Sequence, residues 1–260
     1  MPDRPIRIGI QIQPQHASYQ QIRDAVARAE DIGADTIFNW DHFYPLYGEP
    51  EGAHFEAWTM LGAWAEATSR AEIGCLVTCN SYRNPELLAD MARTVDHIAK
   101  GRLILGIGSG WFEKDYTEYG YEFGTAGGRL DMLAEAMPRI VERWGKLNPA
   151  PTRKIPVLIG GGGEKKTLKI TAQYADIWHG FGDPDVIAHK CKVLDEWCAS
   201  LNRDPAEIER SVGVGEKRPK EVADDLLAAG VRMFTVAAGG PDYDLSKLQE
   251  WVAWRDAQSR

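Results

Sequence analysis

Four consecutive glycines lie between an apolar run and a charged cluster, in the stretch IPVLIGGGGEKK that begins at Ile155. Glycines lack Cβ atoms, so backbone N–H groups can close around an anion there, and a following helix adds partial positive charge. Glu164 is followed by Lys165 and Lys166, two lysines that oppose the dipole of that helix unless an anion is bound. The stretch therefore predicts a phosphate-type site, although its spacing is not that of a Walker A loop. A flexible loop with solvated lysines is the alternative.

A second glycine-rich stretch, LGIGSGW, ends at Trp111. It is a poor dinucleotide fingerprint, because the third glycine is missing and a tryptophan stands where helix packing needs a small residue. A flat ligand lying against bare backbone, with Trp111 as a wall, explains the pattern better than a tight turn. The two stretches together predict a site for a flat molecule with an anionic tail.

Asp41 and His42, in the stretch WDHF, are candidates for proton transfer. His42 is suited to donating a proton or a hydrogen bond, with Asp41 as its orienting neighbour or as a ligand contact. A satisfied turn is an equally good interpretation of this pair taken alone. Glu113 is a candidate general acid if it lies in a dry pocket, and a solvated carboxylate otherwise. No histidine pair has metal-ligand spacing, and there is no G-x-S-x-G motif, so we expect no metal and no serine nucleophile.

Eight repeats of a short β-branched run, a turn and an amphipathic helix must position these residues. The runs begin with IRIGIQIQ and end with VRMFTVAAGG. Eight such units in about 250 residues predict a single (β/α)8 barrel over residues 1–260, with a doubly wound open sheet as the alternative. An excursion at residues 111–128 follows the fourth strand. Active sites of barrels lie at the carboxyl ends of the strands. The polar residues predicted there are Gln13, Asn39, Asp41, His42, Thr78, Asn80, Ser109, Glu113, His179 and Glu216.

Composition narrows the class of protein. The 260-residue chain has a formal net charge of −8, which argues against a nucleic-acid-binding surface. No stretch approaches the roughly 18 unbroken apolar residues that a membrane helix needs, and the N-terminus lacks a secretory signal. The four cysteines include no CxxC pair, which is typical of reduced thiols. We therefore expect a cytoplasmic protein with a small-molecule ligand and no nucleic-acid or membrane partner.

Three stretches together resemble the luciferase-like monooxygenase superfamily, and within it the branch that uses the deazaflavin coenzyme F420. They are GADTIFNWDHF, the run from EIGCLVTCNSYRNP to LILGIGSGW, and IPVLIGGGGEKKTLKITAQYADIWH. The resemblance extends from the first strand to about Gly182 and is weaker in the last third of the chain. It implies a bacterial-luciferase-like (β/α)8 TIM barrel that holds the cofactor ring at the carboxyl ends of the strands. Dimers are common in this family, so a homodimer is expected.

The resemblance also implies how the ring is held. Leu76 and Val77 match a bulge after the third strand, often with a non-prolyl cis peptide, that backs the ring in the family. Asp41 and His42 match polar residues beside the ring. Glu113 lies near an acidic residue that serves as proton donor in some relatives.

The phosphate grip of the family matches the segment from Gly161 to Lys166, with contributions from Ser109 and Trp111. The residues expected to bind the cofactor are Asp41, Leu76, Val77, Asn80, Gly108, Ser109, Gly110, Trp111, Gly160, Gly161, Gly162, Gly163, Glu164, Lys165 and Lys166. Those expected to contact substrate are Trp111, Tyr116 and His179.

The implied function is an F420-dependent oxidoreductase that transfers a hydride between the coenzyme and a small organic substrate, with His42 and Glu113 as the catalytic residues. A monooxygenase that uses reduced FMN is the first alternative, because both cofactors have a phosphate handle. A non-catalytic flavin or deazaflavin carrier and a metal-free phosphosugar isomerase are the others. The excursion at residues 111–128 is the expected lid and substrate determinant.

Overall fold

A computed structural model describes residues 4–258, in which strands and helices alternate along the chain as predicted. Residues 1–3 and 259–260 of the predicted domain lie outside the described range. The strands are β1 Arg7–Ile12, β2 Thr36–Asn39, β3 Glu72–Cys75, β4 Thr78–Cys79, β5 Leu103–Gly108, β6 Val157–Gly160, β7 Ile177–Phe181, β8 Glu209–Gly213 and β9 Val231–Ala238. The helices are α1 Tyr19–Ile32, α2 Ala57–Ala67, α3 Pro85–Ile98, α4 Glu113–Tyr119, α5 Ala126–Trp144, α6 Thr167–Tyr174, α7 Pro184–Ser200, α8 Pro219–Ala228 and α9 Ser246–Gln258. Across residues 4–258, no helix has the length and apolar character needed to cross a membrane.

The sheet closes on itself. Its strands pair in parallel in the order β3-β2-β1-β9-β8-β7-β6-β5-β4. β5 also pairs with β3, where Ile73 lies opposite Leu103, and with β4, where Thr78 lies opposite Ile107. β3 and β4 therefore form one interrupted strand of an eight-stranded (β/α)8 barrel. The closure confirms the predicted barrel and excludes the doubly wound open sheet.

The third barrel strand is interrupted, where the sequence pattern predicts a continuous run through residues 71–79. The break falls at Leu76–Val77, whose peptide bond is cis, as the family resemblance implies. The Leu76 N–H donates to Asn39 O at 2.8 Å, and Leu76 O accepts from Gln11 Nε2 at 2.7 Å. Both polar groups of Leu76 are thus satisfied by neighbouring strands at the point where the ladder breaks.

Two layers of apolar side chains divide the barrel. Along each strand, alternate side chains point outward to the helices and inward to the barrel axis. The outward side chains, such as Trp178, pack against the helices in the main core. The inward set fills the lower part of the barrel with Phe38, Leu76, Ile104, Leu158, Ile177 and Met233. Because this plug lies below the carboxyl ends of the strands, the upper barrel can hold a ligand.

Two helices begin away from their predicted starts. α5 begins at Ala126, three residues before the predicted Arg129, because the side chain of Thr125 accepts a hydrogen bond from Gly128 N and caps the helix. α6 begins at Thr167 rather than at Glu164, because residues 164–166 form turns and Glu164 pairs with α7 instead. The excursion at residues 111–128 contains α4, followed by a loop and the first turn of α5.

Candidate active site

A cavity of about 470 Å³ opens at the carboxyl ends of the barrel strands, where the sequence predicts the site. Its size suits a small organic ligand or cofactor ring. The lining residues are Gln11, Trp40, Asp41, His42, Leu46, Tyr47, Leu76, Val77, Thr78, Cys79, Gly108, Ser109, Gly110, Trp111, Ala126, Arg129, Leu130, Gly160, Gly161, Thr167, His179 and Phe181.

A buried carboxylate orients His42. The His42 Nδ1 atom lies 2.7 Å from Asp115 Oδ2, and Asp115 is completely buried. Asp115 also accepts from Tyr82 OH at 2.9 Å and from the Phe43 N–H at 3.1 Å. Burial and the nearby charges of Cys79 and Asp115 raise the pKa of Tyr82, so its hydroxyl remains a donor. The carboxylate therefore accepts a hydrogen bond from Nδ1–H of His42, and Nε2, which has no partner within residues 4–258, is left for a ligand.

Aromatic rings surround the His42 imidazole. The ring centroids of Trp40, Trp111 and Phe112 lie 6.2, 5.8 and 5.5 Å from it, each in an edge-to-face arrangement. Trp40 Nε1 in turn donates to His54 Nε2 at 3.0 Å. Burial, together with the charge of His42, lowers the pKa of His54 to about 4, so His54 is a neutral acceptor at physiological pH. Of these two imidazoles, that of His42 lines the cavity.

Asp41 is neutralised by a buried ion pair. Arg83 approaches it in a two-pronged arrangement, with Nη1 2.5 Å from Oδ2 and Nη2 3.0 Å from Oδ1. The Cys79 N–H donates to the same carboxylate at 2.9 Å. Because both oxygens are engaged, Asp41 fixes the segment after the cis peptide bond rather than acting as a free acid.

Glycines on β5 and β6 make one wall of the cavity flat. A Cβ atom on Gly108 would lie 2.7 Å from Val77 Cγ2, and one on Gly160 would lie 3.0 Å from Val77 Cγ1. Gly161 has a φ of +122°, a conformation that L side chains rarely adopt. The absence of Cβ atoms at Gly108 and Gly160 therefore makes room for the Val77 side chain, and Val77 and the glycine backbone together form this wall.

The N-termini of α5 and α6 meet at one end of the cavity, because Ala126 and Thr167 both line it. The N–H groups of Gly162 and Gly163 have no hydrogen-bond partner among the described residues. Lys166 bridges the two helices, with Nζ 2.6 Å from Asp131 Oδ1 and 3.2 Å from Gly127 O. Unpaired N–H groups and two helix N-termini favour an anion at this end.

His179 lies deep in the cavity on β7, beside Gly160 of the neighbouring strand β6. It is completely buried, its Nδ1 lies 2.8 Å from Ser211 Oγ, and its Nε2 has no hydrogen-bond partner in the described part of the chain. Burial lowers the pKa of His179 to about 3, so the imidazole is neutral. The ring of Phe181 covers it edge-to-face at 4.8 Å. A neutral imidazole with an unpaired nitrogen can hydrogen-bond a ligand without adding charge.

The cavity brings together some of the predicted site residues and leaves others outside. It gathers Asp41, His42, Leu76, Val77, Gly108, Ser109, Gly110, Trp111, Gly160, Gly161 and His179. The remaining members of the predicted cofactor set lie beside the lining: Asn80, Gly162, Gly163, Glu164, Lys165 and Lys166. Glu164 pairs with Lys190 and His189, and Lys165 is exposed. Among residues 4–258, no group of three His, Cys, Asp or Glu side chains could hold a metal ion.

Three predicted contacts lie away from the cavity. Glu113 is exposed at the start of α4 and lies outside the lining, whereas Asp115, two residues later, reaches His42. Tyr116 is completely buried, with its hydroxyl 3.2 Å from Cys79 Sγ, so it packs behind the wall rather than facing a substrate. Glu216 is exposed and pairs with Lys247.

Sequence reasoning missed Asp115, Arg129, Tyr47 and Phe181. Arg129 is buried in the first turn of α5, donates to Gly110 O at 3.1 Å and to Phe123 O at 2.7 Å, and lines the cavity. A signal for Arg129 was present, because an arginine at a helix start opposes the dipole just as Lys165 and Lys166 do.

The fold and the cavity define a (β/α)8-barrel protein with a cavity at its strand ends, lined by glycines, aromatic rings and an imidazole that a carboxylate orients. The chain belongs to the luciferase-like monooxygenase family, whose model matches residues 5–245.

Two curated relatives are named F420-dependent glucose-6-phosphate dehydrogenase. The protein from Amycolatopsis mediterranei is 28% identical over 189 residues, covering 65% of this chain and 54% of the relative. The protein from Microbacterium testaceum is 26% identical over 226 residues, covering 79% of this chain and 66% of the relative. The chain thus spans only part of the length of these relatives. A solved F420-dependent secondary alcohol dehydrogenase in complex with an F420–acetone adduct shares the fold, with a TM-score of 0.84, 18% identity and coverage of 96% of this chain and 98% of that one.

Proposed function

We propose that this chain is an oxidoreductase that uses coenzyme F420 and exchanges a hydride with a small organic substrate. The observation that carries the proposal is one cavity that combines a bare glycine wall, an anion-binding end and an imidazole fixed by a buried carboxylate. Membership of the luciferase-like monooxygenase family supports a flavin-type cofactor, and the names of the two curated relatives favour F420.

The cavity suits a flat cofactor with a phosphate. The Val77 side chain occupies the space that Cβ atoms on Gly108 and Gly160 would take, so Val77 and the glycine backbone together form the wall against which a ring would lie. The unpaired N–H groups of Gly162 and Gly163 are donors that a phosphate can accept from. Leu76 and Val77 would back the ring from the interrupted strand.

The protein's own part in the reaction centres on His42. When bound, F420 supplies the two-electron hydride chemistry, which the side chains themselves do not provide. Asp115 holds Nδ1–H of His42, so Nε2 accepts a proton from a substrate hydroxyl or, once protonated, donates one to a substrate oxygen. The rings of Trp40, Trp111 and Phe112 exclude water from this imidazole and strengthen its hydrogen bonds.

Cofactor choice is tested by titrating the apo-protein with F420 and with FMN and following fluorescence quenching. The proposal expects F420 to bind more tightly. Binding of FMN alone would instead support the reduced-FMN monooxygenase, and binding of neither would exclude both cofactors.

Turnover is tested by screening oxidation of reduced F420 against aldehydes, enones, imines and ketones. With a substrate found in this way, His42→Ala is expected to lower kcat by about 100-fold or more and to leave F420 affinity within about twofold. His97→Ala is the matched control, because His97 is exposed on α3, far from the cavity lining. Tight F420 binding without turnover of any compound would indicate a carrier rather than an enzyme.

A homodimer belongs to the same proposal and rests on the family resemblance. A cytoplasmic location is also proposed, and it rests on the four cysteines, which include no CxxC pair. Sedimentation of the purified chain at several concentrations measures the oligomeric state directly. A monomer at micromolar concentration would contradict the dimer without affecting the proposed chemistry.

A further inference from the structure

Large exposed apolar side chains gather at the mouth of the cavity. Tyr47, Trp111 and Phe181 are 64%, 63% and 66% exposed, and all three line the cavity. Other exposed apolar side chains, such as Leu87 on α3, lie outside the lining. Exposed aromatic rings around a concave site indicate a surface that is covered when a ligand binds.

The cavity offers little to a charged substrate. Within the lining formed by residues 4–258, Asp41 and Arg129 are the side chains with a permanent charge, and Asp41 is neutralised by Arg83. The guanidinium of Arg129 donates to two backbone carbonyls, and its central carbon lies 3.9 Å from the centroid of the Phe123 ring. Lys166 is held by Asp131 at the end assigned to the cofactor phosphate. Arg129 is a buried cation, but it lies in the first turn of α5, at the end assigned to the cofactor phosphate. Within the described lining this leaves no further cation near the His42 imidazole for a phosphorylated substrate.

Two imidazole nitrogens that can form hydrogen bonds complete the cavity. Among residues 4–258, nothing pairs with His42 Nε2 at the aromatic side or with His179 Nε2 at the floor beneath Phe181. Each imidazole can bond one uncharged oxygen. An apolar enclosure with a few placed hydrogen-bonding groups is how a site selects a neutral organic molecule.

We infer that the substrate is a neutral molecule with an apolar ring and one reacting oxygen, such as a ring-bearing ketone or its secondary alcohol, and not a phosphosugar. The ring lies among Tyr47, Trp111 and Phe181, and the oxygen meets His42 Nε2. The inference rests on the proposed function. In the reducing direction the carbonyl carbon gains a hydride and the oxygen gains a proton, while the reduced deazaflavin is oxidised. The oxidising direction is the reverse.

The test measures binding as well as turnover. F420 affinity is measured first for each protein by fluorescence titration. Acetophenone and glucose 6-phosphate are then titrated into the F420-loaded protein by calorimetry. We expect acetophenone to bind and glucose 6-phosphate not to bind. Phe181→Ala and Tyr47→Ala are each expected to weaken acetophenone binding about tenfold, while F420 affinity changes less than about twofold. Leu87→Ala also removes an exposed apolar side chain, and it should leave the dissociation constants of acetophenone and of F420 unchanged.

The possible outcomes distinguish an error in the inferred substrate class from an error in the proposed function. Glucose 6-phosphate binding as tightly as acetophenone, no binding of acetophenone, or acetophenone binding that is unaffected by both aromatic truncations would each overturn the inferred substrate class. Loss of F420 binding by the unmodified protein would overturn the proposed function instead, and would be detected in the first titration.

Discussion

Replacing His179 by asparagine is expected to make the protein less sensitive to acid. His179 is completely buried, and burial lowers its pKa from 6.5 to about 3. The unfolded chain takes up a proton at this histidine near pH 6.5, whereas the folded protein does not, so the unfolded state binds more protons between the two values. The stability due to neutral His179 is therefore complete above pH 6.5 and declines as the pH falls toward 3.

The size of the effect follows from that window. Between pH 6.5 and about 3, each unit of falling pH lowers the free energy of unfolding by about 1.4 kcal/mol. Lowering the pH from 7 to 5 therefore removes about 2 kcal/mol of unfolding free energy through this residue. His179→Asn has no titrating group and should lose about 2 kcal/mol less than the unmodified protein over the same interval. His54 has a pKa of about 4 and titrates in both proteins, so its contribution cancels in the comparison.

The assay is urea unfolding followed by tryptophan fluorescence at both pH values. His97→Asn, a substitution of an exposed histidine, should reproduce the pH dependence of the unmodified protein. If His179→Asn and the unmodified protein lose equal stability between the two pH values, burial does not hold His179 neutral. The description of His179 as a neutral hydrogen-bonding group in the cavity would then be wrong.

Three further substitutions test the site. Asp115→Asn keeps the side-chain volume but removes the charge that orients the active-site imidazole, so kcat should fall about 100-fold in steady-state assays; an unchanged kcat would remove Asp115 from the mechanism. Gly108→Ala adds a Cβ atom 2.7 Å from Val77 Cγ2, so Val77 must move toward the ring site, and the Kd for F420 should rise about tenfold by fluorescence titration. Normal F420 affinity in that variant would show that Val77 does not back the ring. Lys166→Met frees Asp131 and removes a cation from the anion-binding end, so F420 binding should weaken and depend less on salt; an unchanged salt dependence would place the phosphate elsewhere.

Much of the fold could be predicted, because each βα unit has its own local pattern. The apolar runs, the proline at the start of α3 and the glycine after α1 are local signals that set element type and approximate bounds. The early start of α5 was missed because Gly127 and Gly128 read as loop, whereas the side-chain cap from Thr125 outweighs their low helix propensity.

The site was only partly predictable, because its key contacts join distant segments. His42 was visible in a short motif, but its partner Asp115 lies 73 residues away, and only the closed barrel brings them together. Glu113 was chosen as the acid because it follows the glycine-rich strand end. In α4, residues two positions apart point to nearly opposite sides, so Glu113 faces solvent when Asp115 faces the imidazole.

The segment after β5 carries both Trp111, at the rim of the cavity, and Asp115, which holds His42. In the proposed function, substrate selectivity through Trp111 and proton transfer through His42 therefore depend on the same short segment of backbone. A lineage that remodelled this piece to admit a new compound would displace the carboxylate at the same time, and would have to restore it by compensating changes. Under the proposed function, substrate choice and reaction rate would therefore change together whenever this segment changes.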